Sequence, residues 1–179
     1  MSEDKQLLKR MRCGDKDALR QIYEKYRDDL FTVAVSLLRD IHTSEDCLQE
    51  VFVNFATAVD SFGVRHNLKG YLVSCVANRA RDHLRKRTIQ LDRSLEELGC
   101  LAVNSDPANE VIGHEELEQV FEALAELPYE QRETFVLHVQ GGIKFSQIAD
   151  LQNVSVRTVQ SRYRYGIEKL RVILGSKRT

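Results

Sequence analysis

The sequence predicts an all-α protein, two small helical domains joined by a flexible acidic linker, and three observations carry that prediction. Helix breakers are scarce: 179 residues contain only two prolines and nine glycines, and β-branched runs are short. Apolar residues recur every three or four positions over long stretches, as a single buried helical stripe requires. Charge is sorted into blocks within a chain whose net charge is only -1. Residues 63–88 hold seven Lys/Arg against the single acid Asp82, and residues 157–179 hold seven against Glu168. Between them, residues 89–127 carry ten acids and only Arg93. A polyanion could meet both basic blocks and would be repelled by the stretch between them.

The elements follow in order. A short helix is predicted from about Glu3 to Cys13, stopped by Gly14. Asp15 then caps a longer one reaching Leu38, with Leu19, Ile22, Tyr26, Leu30, Val33 and Leu37 inward. Thr43 and Ser44 are read as caps of a third helix, whose stripe is Leu48, Val51, Phe52, Phe55 and Val59. Asn67 opens a fourth, with Leu68, Leu72, Val76 and Leu84 inward and a basic outer face. These four make the first domain, residues 1–87. Residues 88–111 lose the periodicity and contain Asp106-Pro107, a turn signal, so they read as the linker. The second domain, 112–179, begins with a helix burying Leu117, Val120, Phe121, Leu124 and Leu127. Pro128 is read as the first residue of the next helix, which carries Phe135, Val136 and Val139 inward. After Gly141-Gly142 come two more helices, roughly Ser146–Gln152 and Ser155–Leu174.

Composition narrows the chemistry. Hydrophobic residues make up 42% of the chain, enough for a packed core. Cys13, Cys47, Cys75 and Cys100 form no CxxC pair and lack histidines at zinc spacing, so neither a metal nor another cofactor is expected. The five histidines fall in no catalytic motif, and no phosphate loop or nucleophile elbow is present. An enzyme with a small-molecule substrate is therefore disfavoured. No apolar run approaches spanning length, so membrane insertion is not expected and a cytoplasmic location with reduced thiols is.

Three constellations remain. Residues 145–171 have the grammar of a helix-turn-helix: Ala149 allows a close crossing, Asn153 suits a left-handed turn residue, and Ser155 is a good N-cap. Val156, Val159, Tyr163, Ile167 and Leu170 form the inner stripe of its second helix, leaving Arg157, Gln160, Ser161 and Arg164 outside to read base edges or hold phosphates. In NRARDHLRKR (78–87), Asn78 could bond a base and the arginines phosphates, although cations also favour any helix C-terminus. In TSEDCLQEVFVNF (43–55), Glu45, Asp46, Gln49 and Glu50 share an outer face. That face is either a docking surface for a basic protein or simple dipole compensation, and the residues alone leave both open.

The strings EDCLQEVFVNF, YLVSCVANRARDHLRKR and SVRTVQSRYRYGIEKLR, in that order over nearly the whole chain, resemble the bacterial RNA polymerase sigma factors of the extracytoplasmic-function (ECF) group. These consist of a region-two and a region-four domain joined by a linker. The resemblance implies that Asp46, Gln49 and Glu50 dock on the clamp helices of core RNA polymerase. It implies that Asn78 reads the promoter -10 element, with Arg79, Arg81 and Arg85 near the strand backbone, and that the loop at about Gly63–Leu68 captures a flipped base. Gln160, Ser161, Arg164 and Tyr165, beside Arg157, are implied to face the -35 element. The acidic linker is implied to thread toward the RNA exit path. Many such factors are held by an anti-sigma protein, for which the sequence itself offers no sign. The chain departs from the family pattern at Tyr71, in place of a usual tryptophan, at Gln152, Gln160 and Tyr165, and in the loop GVRHN. Two other readings are a stand-alone helix-turn-helix regulator with a sensing or dimerising bundle, and an enzyme. Neither has a use for the EDCLQEVF face.

Overall fold

The structure is a computed structural model and describes residues 3–58, 67–98 and 115–176, with side chains described over 3–58, 67–90 and 119–176. Eight helices make up these residues: α1 (Glu3–Arg12), α2 (Lys16–Leu38), α3 (Ile41–Ala58), α4 (Leu68–Leu98), α5 (Glu115–Ala125), α6 (Tyr129–Val139), α7 (Phe145–Gln152) and α8 (Val156–Ser176).

The first half is a bundle around α2, against which α1, α3 and α4 all pack. Gly14 turns the chain with a positive φ of 83°, and Asp15 caps α2 by accepting from the Asp17 amide at 2.9 Å. Asp4 on α1 accepts from the Tyr26 hydroxyl and the Lys25 ammonium of α2, each at 2.8 Å, which fixes the angle of the first helix. Burial, with Asp4 beside it, pushes the Tyr26 hydroxyl up to about 12. Ile22, Leu30, Val33, Phe55, Leu68, Leu72 and Val76 fill the centre and are essentially inaccessible to solvent.

The start of α3 differs from the sequence reading. Asp40, rather than Thr43 or Ser44, is the cap: its carboxylate accepts from the Thr43 amide at 2.6 Å, while Ser44 is buried with its hydroxyl donating to the Asp40 carbonyl. The Thr43 hydroxyl, then its amide, hold the Asp40 carboxyl below its ordinary range. Asp40→Ala should cost about 1 kcal/mol of stability. Because the folded-state pKa is depressed, that contribution is present above the unfolded value and is lost as pH falls through the folded one. Denaturant titrations of both proteins should show the gap at neutral pH and its closure in acid.

A second difference concerns α4, which continues to Leu98 and so takes in the first eleven residues assigned to the linker. Residues 85–90 are exposed and have no core to face, so the apolar stripe ends although the helix does not. Arg, Lys, Gln, Leu and Glu sustain it as far as Leu98. The rest of the acidic linker lies outside the described residues.

In the second half, α8 is the hub, packed on α5, α6 and α7. Pro128 precedes α6 as its N-cap rather than standing at N1. Gly166 is buried, and a Cβ added there would meet Gln131 at 3.6 Å, an ordinary packing contact between α8 and α6. Val156, Val139 and Val120, expected inward, are 41%, 53% and 38% exposed, because each lies at the edge of its stripe. The two halves also pack on each other: α6 meets α2 and α4 as well as α8, and one apolar cluster spans both.

The four cysteines divide by burial where they are described. Cys47 is inaccessible, and burial, with Glu50 adding, pushes its thiol up to about 12. Cys13 is exposed. Iodoacetamide should therefore modify Cys13 in the native protein and reach Cys47 only after unfolding, as peptide mass mapping would show.

Candidate polymerase and nucleic-acid interfaces

Three helices present the residues singled out above. On α3, Cys47, Leu48, Val51, Phe52 and Phe55 turn inward, which by helical spacing forces Glu45, Asp46, Gln49 and Glu50 onto the exposed side. Asp46 and Gln49 make no side-chain bond among the described residues. Glu50 does: its carboxylate lies 2.7 Å from Arg79 Nε and 3.5 Å from His83 Nε2, tying the outer faces of α3 and α4 together.

On α4, Asn78 and Arg85 are exposed, while Arg79 and Arg81 are half-buried. Arg79 is occupied by Glu50. Arg81 reaches across to the second half: Nε donates to Glu133 Oε1 at 2.7 Å, and Nη1 donates to Asn78 Oδ1 at 2.9 Å and to the Leu151 carbonyl at 3.0 Å. The loop 63–66, expected to capture a base, lies outside the described residues.

The helix-turn-helix is built as its grammar predicted. Asn153 ends α7 in the left-handed region at φ 52°, and the Ser155 hydroxyl accepts from the Thr158 amide at 3.1 Å to start α8. Ile148 and Ala149 are buried where the helices cross, and Val159 and Leu170 anchor α8. An aromatic group sets the angle of α8. His138 stacks on Phe145 with ring centres 4.1 Å apart, and Tyr163 lies 5.1 Å from His138 and 5.2 Å from Phe145. With that side fixed, Arg157, Gln160, Arg164 and Tyr165 are exposed and Ser161 is half-buried. The Arg164 guanidinium lies over the Tyr165 ring at 5.1 Å, which holds the two side chains together on the outer face. Arg162 points the other way and donates to Gln152 at 2.7 Å.

One polar group is absent from the sequence reading. Glu133 is 2% exposed and accepts from Arg81, from the Tyr129 hydroxyl at 3.1 Å and from the Gln152 amide at 2.8 Å. Burial, then the Glu133 charge, drives the Tyr129 hydroxyl well above its ordinary range. Gln152 thus has a defined role: it links Glu133 to Arg162. The available signal was the polar triplet Arg132-Glu133-Thr134 in the middle of a short helix covered on two sides.

Comparison with known proteins agrees with this layout. A family model for Sigma-70 region 2 matches residues 22–89, and one for Sigma-70 region 4 matches residues 117–170. The ECF RNA polymerase sigma factor SigW of Bacillus subtilis is 26% identical over 176 residues, covering 93% of this chain and 94% of the relative. SigM of the same organism is 26% identical over 144 residues, covering 79% and 85%. Among solved structures, the sigma factor RpoE bound to the anti-sigma factor NepR from Bartonella quintana superposes with a TM-score of 0.71 at 25% identity, covering 87% of this chain and 96% of that one. CnrH, in complex with the cytosolic domain of CnrY, shares the fold with a TM-score of 0.69 over 98% and 99% of the chains. The chain belongs to the ECF RNA polymerase sigma factors. It is accordingly a promoter-recognising initiation factor whose partners are core RNA polymerase and promoter DNA. Among the described residues, no helix is long and apolar enough to cross a membrane.

Proposed function

We propose that the two halves divide the work of initiation. The first, 1–87, docks on core polymerase through Asp46, Gln49 and Glu50 and meets the -10 element with Asn78, Arg79, Arg81 and Arg85. The second, 112–179, reads the -35 element through Arg157, Gln160, Ser161, Arg164 and Tyr165. The observation that carries this reading is the separation of faces: an acidic exposed face on α3, and basic faces on α4 and α8 from different halves. A stand-alone regulator would need only the last of these.

The chemistry is one of binding. Capturing an unstacked base offsets a cost of a few kcal/mol with stacking and polar contacts, so strand opening needs no catalytic group. The factor works in the cytoplasm beside the polymerase and without a cofactor. An anti-sigma protein is a further partner, a reading supported by the complexes in which RpoE and CnrH were solved. The residue assignment is tested with holoenzyme reconstituted from Asn78→Ala protein. Discrimination between an intact and a scrambled -10 element should drop several-fold, while discrimination at the -35 element is kept. Unchanged -10 discrimination would remove Asn78 from the interface.

A further inference from the structure

The helix-turn-helix, residues 145–171, holds three glutamines and four arginines, and the fold sorts them into engaged and free groups. Gln147 accepts from the Lys144 amide at 3.3 Å at the start of α7. The Gln152 amide donates to Glu133 at 2.8 Å, and its oxygen accepts from Arg162 at 2.7 Å. The first hydroxyls of α8 are engaged as well: Ser155 and Thr158 bond each other at 2.8 Å, and Ser155 also caps the Thr158 amide. Gln160 and Arg164 differ from these. Both are exposed, and neither makes a hydrogen bond or ion pair among the described residues. Val159 and Leu170 face the core, so Gln160 and Arg164, four residues apart, stand side by side on one flank of the outer surface. Four residues of helix rise about 6 Å, and successive bases of one DNA strand rise about 3.4 Å. The two side chains are therefore spaced to meet bases about two steps apart.

We propose that the -35 element of this factor's promoters carries an adenine read by Gln160 and, about two steps away on the same strand, a guanine read by Arg164. The proposal rests on the assignment of α8 to the -35 element made above and adds the bases to it. Each side chain has one matching base in the major groove. A glutamine amide offers a donor and an acceptor side by side, and adenine alone answers both, with its N7 acceptor and N6 donor. Guanine offers two acceptors, cytosine a donor, and thymine an acceptor and a methyl group. A guanidinium fork offers paired donors, which fit guanine N7 and O6 together. The Tyr165 ring, 5.1 Å from the Arg164 guanidinium, restricts that side chain before DNA arrives, so less freedom is lost when it meets a base. Gln152 and Arg162 carry the same chemistry, yet each is turned inward to the other and contributes no base choice.

The test uses the full chain in holoenzyme with core RNA polymerase. The templates are one promoter recovered from the transcripts that overexpression of the protein induces, with its -35 region randomised and the rest fixed. Bound templates are sequenced. With the wild-type chain, adenine should exceed each other base about tenfold at one position, and guanine should do so about two steps away. Gln160→Ala should flatten the adenine position and keep the guanine. Gln160→Arg, which presents a second guanidinium fork, should turn the adenine position to guanine. That gained preference is one a misfolded variant cannot show. Arg164→Ala should flatten the guanine position and keep the adenine. An enriched profile that the Gln160 variants leave unchanged, or one with another base at the position they alter, would overturn the base assignment and leave the -35 reading standing. A wild-type holoenzyme that transcribes the parent promoter yet enriches no base anywhere in the randomised region would overturn the -35 reading and the proposal with it.

Discussion

Exchanging Asp46 and Gln49 for arginine should weaken binding to core RNA polymerase about a hundredfold while leaving the fold unchanged. Both side chains are exposed and make no bond among the described residues, so the helix loses no internal contact. Beneath them Cys47, Leu48 and Val51 remain buried and hold α3 in place. An acidic docking face needs a basic partner, and like charges brought together at an interface cost several kcal/mol. One reversal at Asp46 and one added charge at Gln49, at about 1.4 kcal/mol each, already give that factor. Glu50 is left untouched because its link to Arg79 braces α3 against α4. Titration of labelled protein against core polymerase checks the result, with circular dichroism as the control for folding. Unchanged affinity would take the α3 face out of the polymerase interface.

Arg164→Ala should reduce affinity for -35-containing promoter DNA by about tenfold or more, since one good side-chain contact to a base pair is worth about 1–3 kcal/mol. Arg164 is exposed on the outer face of α8, with the Tyr165 ring as its packing neighbour. Its removal should leave Val159, Leu170 and the aromatic group undisturbed. Arg162, two residues earlier and equally basic, gives the contrast. It points inward to Gln152, so Arg162→Ala should lower stability with a smaller effect on -35 discrimination. Electrophoretic mobility shifts with intact and scrambled -35 elements separate the two, and the reverse ranking would refute the assigned face.

How much of this was legible in the sequence depends on how local each cause is. The helix-turn-helix was readable residue by residue because a left-handed Asn153 and a hydroxyl cap at Ser155 act within one turn. The acidic side of α3 was readable because an apolar stripe fixes what lies opposite it. The cap of α3 was misread because Asp40, Thr43 and Ser44 are all competent caps within five residues, and only packing turns Ser44 inward. The extension of α4 was missed because apolar periodicity reports burial rather than helix, and residues 85–90 are helical and exposed. The contact between halves left no local trace. Glu133 finds Arg81 across 52 residues of chain, and no periodicity encodes that meeting. Two of the four residues placed at the -10 strand, Arg79 and Arg81, are engaged within the molecule for the same kind of reason: their partners come from other helices.

The central claim is that this chain confers promoter choice on a polymerase. It is tested most directly by run-off transcription with purified core RNA polymerase, with and without the protein, on promoter templates recovered by sequencing the transcripts that its overexpression induces. Discrete transcripts from those promoters should appear only when the protein is present. Equal transcription from core polymerase alone, or no defined start in its presence, would contradict the account.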